Sequence, residues 1–171
     1  MTIPENLFIF LTLFILVILA FAVRKIQWSK IGLKPEFWHK GWLPIFLFSL
    51  GIFILVQVSI NSLNLPVWVT DKDPLISLLL IVFFQELIFR GFLITWLERF
   101  GRQKALWIST IVFGVIHMAQ PSAWLITVLS FIGGYFWGWH FLKYRNIYLL
   151  SISHLIVNLS FNYVIFNLFF K

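Results

Sequence analysis

Long apolar stretches alternate with short polar connections along the whole chain. About twenty apolar residues cross a bilayer as an α-helix, and backbone facing lipid must be helical so that its own amides are satisfied. On that criterion six membrane-spanning helices are predicted: Leu7 to Val23, Trp42 to Ile60, Leu75 to Leu97, Ala105 to Met118, Trp124 to Leu142 and Asn146 to Phe170. The first lacks the basic leader and small-residue cleavage site of a secretory signal, so a retained anchor helix is expected there. The expected fold class is all-α: a polytopic membrane helix bundle of about six transmembrane helices. One domain covers residues 1–171, and no internal repeat is visible.

Composition agrees and narrows the class. Hydrophobic residues make up 61% of the 171 and charged ones 11%, against about 45–50% and about 25% in soluble domains. So few charges cannot coat a soluble globule, and so apolar a chain is not disordered. The net charge of +7 is explained by its placement. Arg24, Lys25, Lys30, Lys34 and Lys40 fall in the first loop, Arg99, Arg102 and Lys104 in the third, Lys143 and Arg145 in the fifth. The second loop has Asp71, Lys72 and Asp73, and the fourth, Ala119 to Ala123, has no charge. Ten of thirteen basic residues therefore share one side, which the positive-inside rule makes cytoplasmic, with both termini outside and a cell-membrane location. A lipid bilayer is the partner this implies, and no nucleic acid is expected. Without cysteine there is neither a disulfide nor a thiolate metal site. Trp42, Trp68, Trp96, Trp107 and Trp124 lie near span ends, as interface anchors do, and Gly134 and Gly138 predict a close helix contact.

Ionisable groups inside a span are costly and each is a candidate for function. Gln85, Glu86 and Arg90 lie in FFQELIFRG of the third span. Phe113 and His117 lie one turn apart in FGVIH of the fourth, and His154 and Asn158 share a face in HLIVN of the sixth. At roughly 1.5 Å per residue, Glu86, His117, His154 and Asn158 all fall about 12–18 Å from the cytoplasmic ends. An acid, two imidazoles and an amide in one layer suit a buried catalytic pocket. Taken singly, each has a plainer reading: Glu86 and Arg90 as a structural i, i+4 ion pair, Asn158 as interhelical glue. Asn162 is expected to pack against a neighbour, and His39 and His140 are given no role.

These motifs resemble those of the CPBP (CAAX-processing and bacteriocin-processing, or Abi) intramembrane proteases, whose pattern is Glu-Glu-x-x-x-Arg, Phe-x-x-x-His and His-x-x-x-Asn or His-x-x-x-Asp on three helices. Here they read QELIFR, FGVIH and HLIVN, within a core of about residues 75–159. The resemblance implies an intramembrane endopeptidase. Gln85 stands at the position of the first glutamate, which activates water in the family. His117 would assist it, and His154 with Asn158 would form the oxyanion hole. Glu86 and Arg90 match the second acid and the arginine.

The glutamine departs from the pattern, and its chemistry matters. A carboxylate accepts a proton from water; a primary amide holds water but does not accept the proton. Glu86 faces about 100° away on the helix and is spaced to pair with Arg90, which makes it a poor substitute. The chain as written is expected to be slow or inactive. Three explanations stay open: an engineered change, a natural relative kept for scaffolding or immunity, or Glu86 as the working base.

The resemblance points to a mechanism without metal or other cofactor. Zinc is the alternative, since two histidines and a glutamate form a plausible set, although no H-E-x-x-H helix is present. The expected partner is a peptide or membrane-protein substrate. A non-catalytic scaffold or bacteriocin self-immunity protein using the same cavity is the competing reading. A small transporter or proton relay ranks behind both, for want of repeats.

Overall fold

The computed structural model describes residues 27–34, 40–63, 75–118 and 123–162, with no side-chain description for 60, 61, 63, 75, 77, 123, 124, 161 and 162. Five helices organise these residues: α1 (Trp42–Leu63), α2 (Leu75–Glu86), α3 (Arg102–His117), α4 (Ala123–Tyr144) and α5 (Ile147–Asn162). Among the described residues there is no strand, so the fold is all-α as expected. The first predicted span, His39, Trp68, the charges at 24, 25 and 71–73, and nearly all of the fourth loop lie outside the described residues. So do the side chains of Trp124 and Asn162.

Three stretches are long and apolar enough to cross a membrane: Trp42–Ser59, Leu78–Phe100 and Leu125–Tyr144. These match the second, third and fifth predicted spans. The described residues do not yield six. Helix α3 has only 16 residues, and its first turn spends Arg102, Gln103 and Lys104 on exposed polar positions. The apolar part of α5 is described only over Ile147–Ser160.

Burial is inverted relative to a water-soluble bundle. Leu43, Leu47, Ile54 and Val58 of α1 and Trp107, Ile111 and Val115 of α3 are exposed, while Ser49, Gln57, Glu86, Arg90 and His154 are buried. Only a lipid surround makes that distribution favourable, and this is a membrane protein. Helix α3 lies along α4, and both α1 and α2 lie along α5. The approach of α3 to α4 depends on Gly134 and Gly138: a Cβ would meet Phe113 at 3.3 Å in the first case and Leu106 at 2.7 Å in the second. The predicted small-residue contact is there.

Helix α2 does not stop at Glu86. It continues through a π-helical segment, Leu87–Ile94, a short α turn, Thr95–Leu97, and a 3₁₀ turn, Glu98–Phe100. The sequence predicts a uniform helix over Leu75 to Leu97, and the structure departs from it from Leu87 onward. π-Helical hydrogen bonds run from i to i+5, which widens the turn and leaves carbonyls off the α ladder. One of them, Phe89 O, accepts a hydrogen bond from Ser109 Oγ of α3 at 3.0 Å.

The first, third and fifth loops meet at one end of the bundle. Arg145 sits there at φ 49°, in the left-handed region, and closes α4 through its amide to Phe141 O. Its guanidinium holds both carboxylate oxygens of Glu98 at 2.5 Å and also donates to Lys30 O and Thr95 Oγ1. Ile147 N donates to Gly32 O at 3.3 Å, and Arg102 donates to Leu142 O at 2.5 Å. The basic loops are therefore bonded to each other as well as aligned.

Candidate active site

Glu86, the last residue of α2, is fully buried beside the first π turn. Its Oε1 accepts two hydrogen bonds: from Arg90 Nη1 at 3.2 Å and from His154 Nδ1 of α5 at 2.8 Å. The i, i+4 ion pair expected from the sequence is present, and both partners have zero side-chain exposure. Two opposite charges in so dry a place support one another; either alone would be very costly. Among the described residues Glu86 Oε2 and Arg90 Nε and Nη2 have no hydrogen-bond partner.

His117 closes α3. Its Nδ1 lies 2.7 Å from the carbonyl of Phe113, one turn back. A carbonyl only accepts, so Nδ1 carries the proton, and in the neutral ring Nε2 keeps the lone pair. His154 uses Nδ1 in the same sense, donating to a carboxylate. Each imidazole thus turns Nε2 away from its fixing partner.

Phe113 ties the site together. The Arg90 guanidinium lies 4.0 Å from its ring centroid, His117 4.5 Å and His154 5.7 Å edge-on. The Phe of the Phe-x-x-x-His motif is thereby the common wall between the two imidazoles. Across from it the Trp137 indole stacks on His154, with centroids 4.5 Å apart and planes 24° from parallel.

Of the six residues singled out from sequence, Glu86, Arg90 and His154 are joined by hydrogen bonds, and His117 reaches them through Phe113. Gln85 and Asn158 are half-buried and make no side-chain hydrogen bond among the described residues. Helical phase accounts for the contrast at Gln85 and Glu86, since adjacent residues point about 100° apart. Among the described residues no three His, Asp or Glu side chains gather closely enough to hold a metal ion. His140, given no role, is fully buried and donates Nε2–H to Gly41 O at 2.9 Å, away from this cluster.

A family profile described as type II CAAX prenyl endopeptidase Rce1-like matches residues 73–160, a little over half of the chain. The chain belongs to the Rce1-like family. That match contains all three motifs, so the resemblance read from them stands, and the Rce1-like family is a protease family. No curated protein and no solved structure matches this Rce1-like chain.

Sequence reasoning did not find Trp137, Ser153 or Ser49 around His154. Serine and tryptophan are ordinary in membrane helices and these three share no spacing. The one available sign was Ser153, next to His154 in chain order.

Proposed function

We propose that this protein is an intramembrane endopeptidase of the CPBP type, acting on a peptide or a membrane-protein segment presented from the cytoplasmic side. The observation that carries the proposal is the pairing of two imidazoles around Phe113, each fixed through Nδ1, one of them against a buried Glu86–Arg90 pair.

The chemistry follows from those fixed nitrogens. Gln85 holds the attacking water by its amide, and His117 Nε2 accepts the proton as the water oxygen bonds to the scissile carbonyl carbon. The carbonyl oxygen becomes an oxyanion. His154 Nε2–H and the Asn158 amide donate to it; in this role His154 carries protons on both nitrogens, with Glu86 as its counter-charge. Arg90, Glu86 and doubly protonated His154 then sum to one positive charge, which the oxyanion neutralises. The proton on His117 passes to the leaving amine as the C–N bond breaks. No step uses a metal ion.

In this scheme a glutamate at position 85 would take the proton directly, so the present chain works slowly through His117 alone. Glu86 is already engaged with Arg90 and His154 through Oε1, which leaves the water to Gln85 and His117.

The test is a matched pair in liposomes, the chain as given and Gln85→Glu, assayed on a peptide library that includes farnesylated CAAX peptides. Cleavage gained by Gln85→Glu and lost again on His117→Ala or His154→Ala supports the proposal. If neither form cleaves anything and a membrane partner co-purifies, the protein is a scaffold using the same residues. Tight, stoichiometric zinc that disappears on His117→Ala would replace the metal-free scheme.

A further inference from the structure

The assignment of His154 to the oxyanion demands that its ring be held in one plane, and a single hydrogen bond from Nδ1 to Glu86 restrains that plane at one edge only. The structure supplies a second restraint from three other side chains. Ser49 Oγ of α1 donates to Ile45 O at 2.8 Å. A hydroxyl has one hydrogen, so in the 2.7 Å contact between Ser49 Oγ and Ser153 Oγ it is Ser153 that donates. Ser153 is left as acceptor for Trp137 Nε1–H at 2.9 Å. The chain of donors therefore runs one way, from Trp137 through Ser153 and Ser49 to Ile45 O, across α4, α5 and α1. Ser49, Ser153 and Trp137 are all buried, so each bond is made without competition from water.

We infer that Trp137 is a positioning residue that sets the plane of His154, and that the Ser153–Ser49 relay locks the indole for that purpose. The indole face lies against one side of the imidazole and the Phe113 edge against another. Phe113 and Trp137 meet each other at 88°, so the two walls cannot slide in the same direction. An indole face also attracts a cation, which suits the doubly protonated ring that an oxyanion donor needs. Trp137 touches no reacting atom; it acts through His154.

The inference rests on the role given to His154 under Proposed function, and its test has one arm independent of proteolysis. In histidine-labelled protein in detergent, the ring protons of His154, identified by their loss in His154→Gln, should be shifted upfield by the indole. Trp137→Leu should return them to ordinary positions, and Ser153→Ala should move them part of the way. Ser153→Thr, which keeps the hydroxyl, should leave them in place. In the Gln85→Glu background, Ser153→Ala should lower kcat roughly ten- to a hundredfold with KM unchanged, and Ser153→Thr should restore it. Trp137→Phe, which keeps a ring and removes the N–H, guards against misfolding of the leucine variant and should resemble Ser153→Ala. His154 signals that ignore Trp137→Leu, or a KM effect in place of a kcat effect, would overturn the inference. Absence of cleavage in every background would remove only the proteolytic reading, because the spectra still report the ring's orientation.

Discussion

Glu86 and His154 stand 68 residues apart in the chain, and their side chains meet at 2.8 Å inside the bundle. The same carboxylate oxygen pairs with Arg90, so one acid serves two helices. One carboxylate oxygen thus ties Arg90 on its own helical run to His154 on α5.

Glu86→Gln leaves the Arg90 guanidinium buried without its counter-charge. We expect a loss of about 3–5 kcal/mol in unfolding free energy. Arg90→Met should cost a similar amount, and the double variant should cost much less than the sum of the two. Denaturant titration in detergent, followed by far-ultraviolet circular dichroism, measures all three.

Gln85→Glu restores a proton acceptor where the family pattern has one. A gain in kcat/KM on the order of 10²–10⁴ is expected, the usual worth of a placed general base. Stability should change little, because Gln85 is half-buried and makes no hydrogen bond among the described residues. A gain of less than tenfold would show that His117 is the sufficient base.

Ser109→Ala removes a hydroxyl bonded to the π segment, at Phe89 O. The expected cost is about 1 kcal/mol, the net value of one buried hydrogen bond, and more if the carbonyl stays unpaired. Thr110→Ala is the control: its hydroxyl bonds to Leu106 O, within its own helix. That change should be close to neutral in the same unfolding assay.

Glu98→Gln weakens the bidentate contact with Arg145 at the end of the bundle. Both side chains are about a quarter exposed, so the effect on global stability should stay near or below about 1 kcal/mol. The local effect should be larger. Trypsin should cut at Lys30 faster in Glu98→Gln than in the parent, and high salt should narrow the difference.

Much of this arrangement was legible in the sequence because lipid makes polar residues conspicuous. Glu86, Arg90, His117 and His154 stood out against apolar neighbours, and the i, i+4 spacing of Glu86 and Arg90 correctly gave their contact. The spans at Trp42–Ser59, Leu78–Phe100 and Leu125–Tyr144 followed from length alone. What did not follow is as instructive. The bond between Glu86 and His154 needs the tertiary packing of α2 on α5, which no spacing encodes. The Trp137–Ser153–Ser49 relay spans three helices and uses residue types that membrane helices contain routinely. The π segment is hidden because LIFRGFLI suits an α-helix equally well, and only its packing reveals the wider turn.

That wider turn has a geometric effect on the whole run from Leu75 to Phe100. Glu86 and Glu98 are twelve positions apart, and in a uniform α-helix they would point about 120° away from each other. Yet both reach the same neighbouring stretch of chain, Glu86 at His154 and Glu98 at Arg145. The π segment, with the 3₁₀ turn after it, changes the phase between the two acids. One continuous rod thus grips a single neighbour at two heights. Deleting one residue from 91–94 would swing Glu98 about 100° off Arg145 while leaving Glu86 and Arg90 at their posts. The loops would part, and the buried cluster would not.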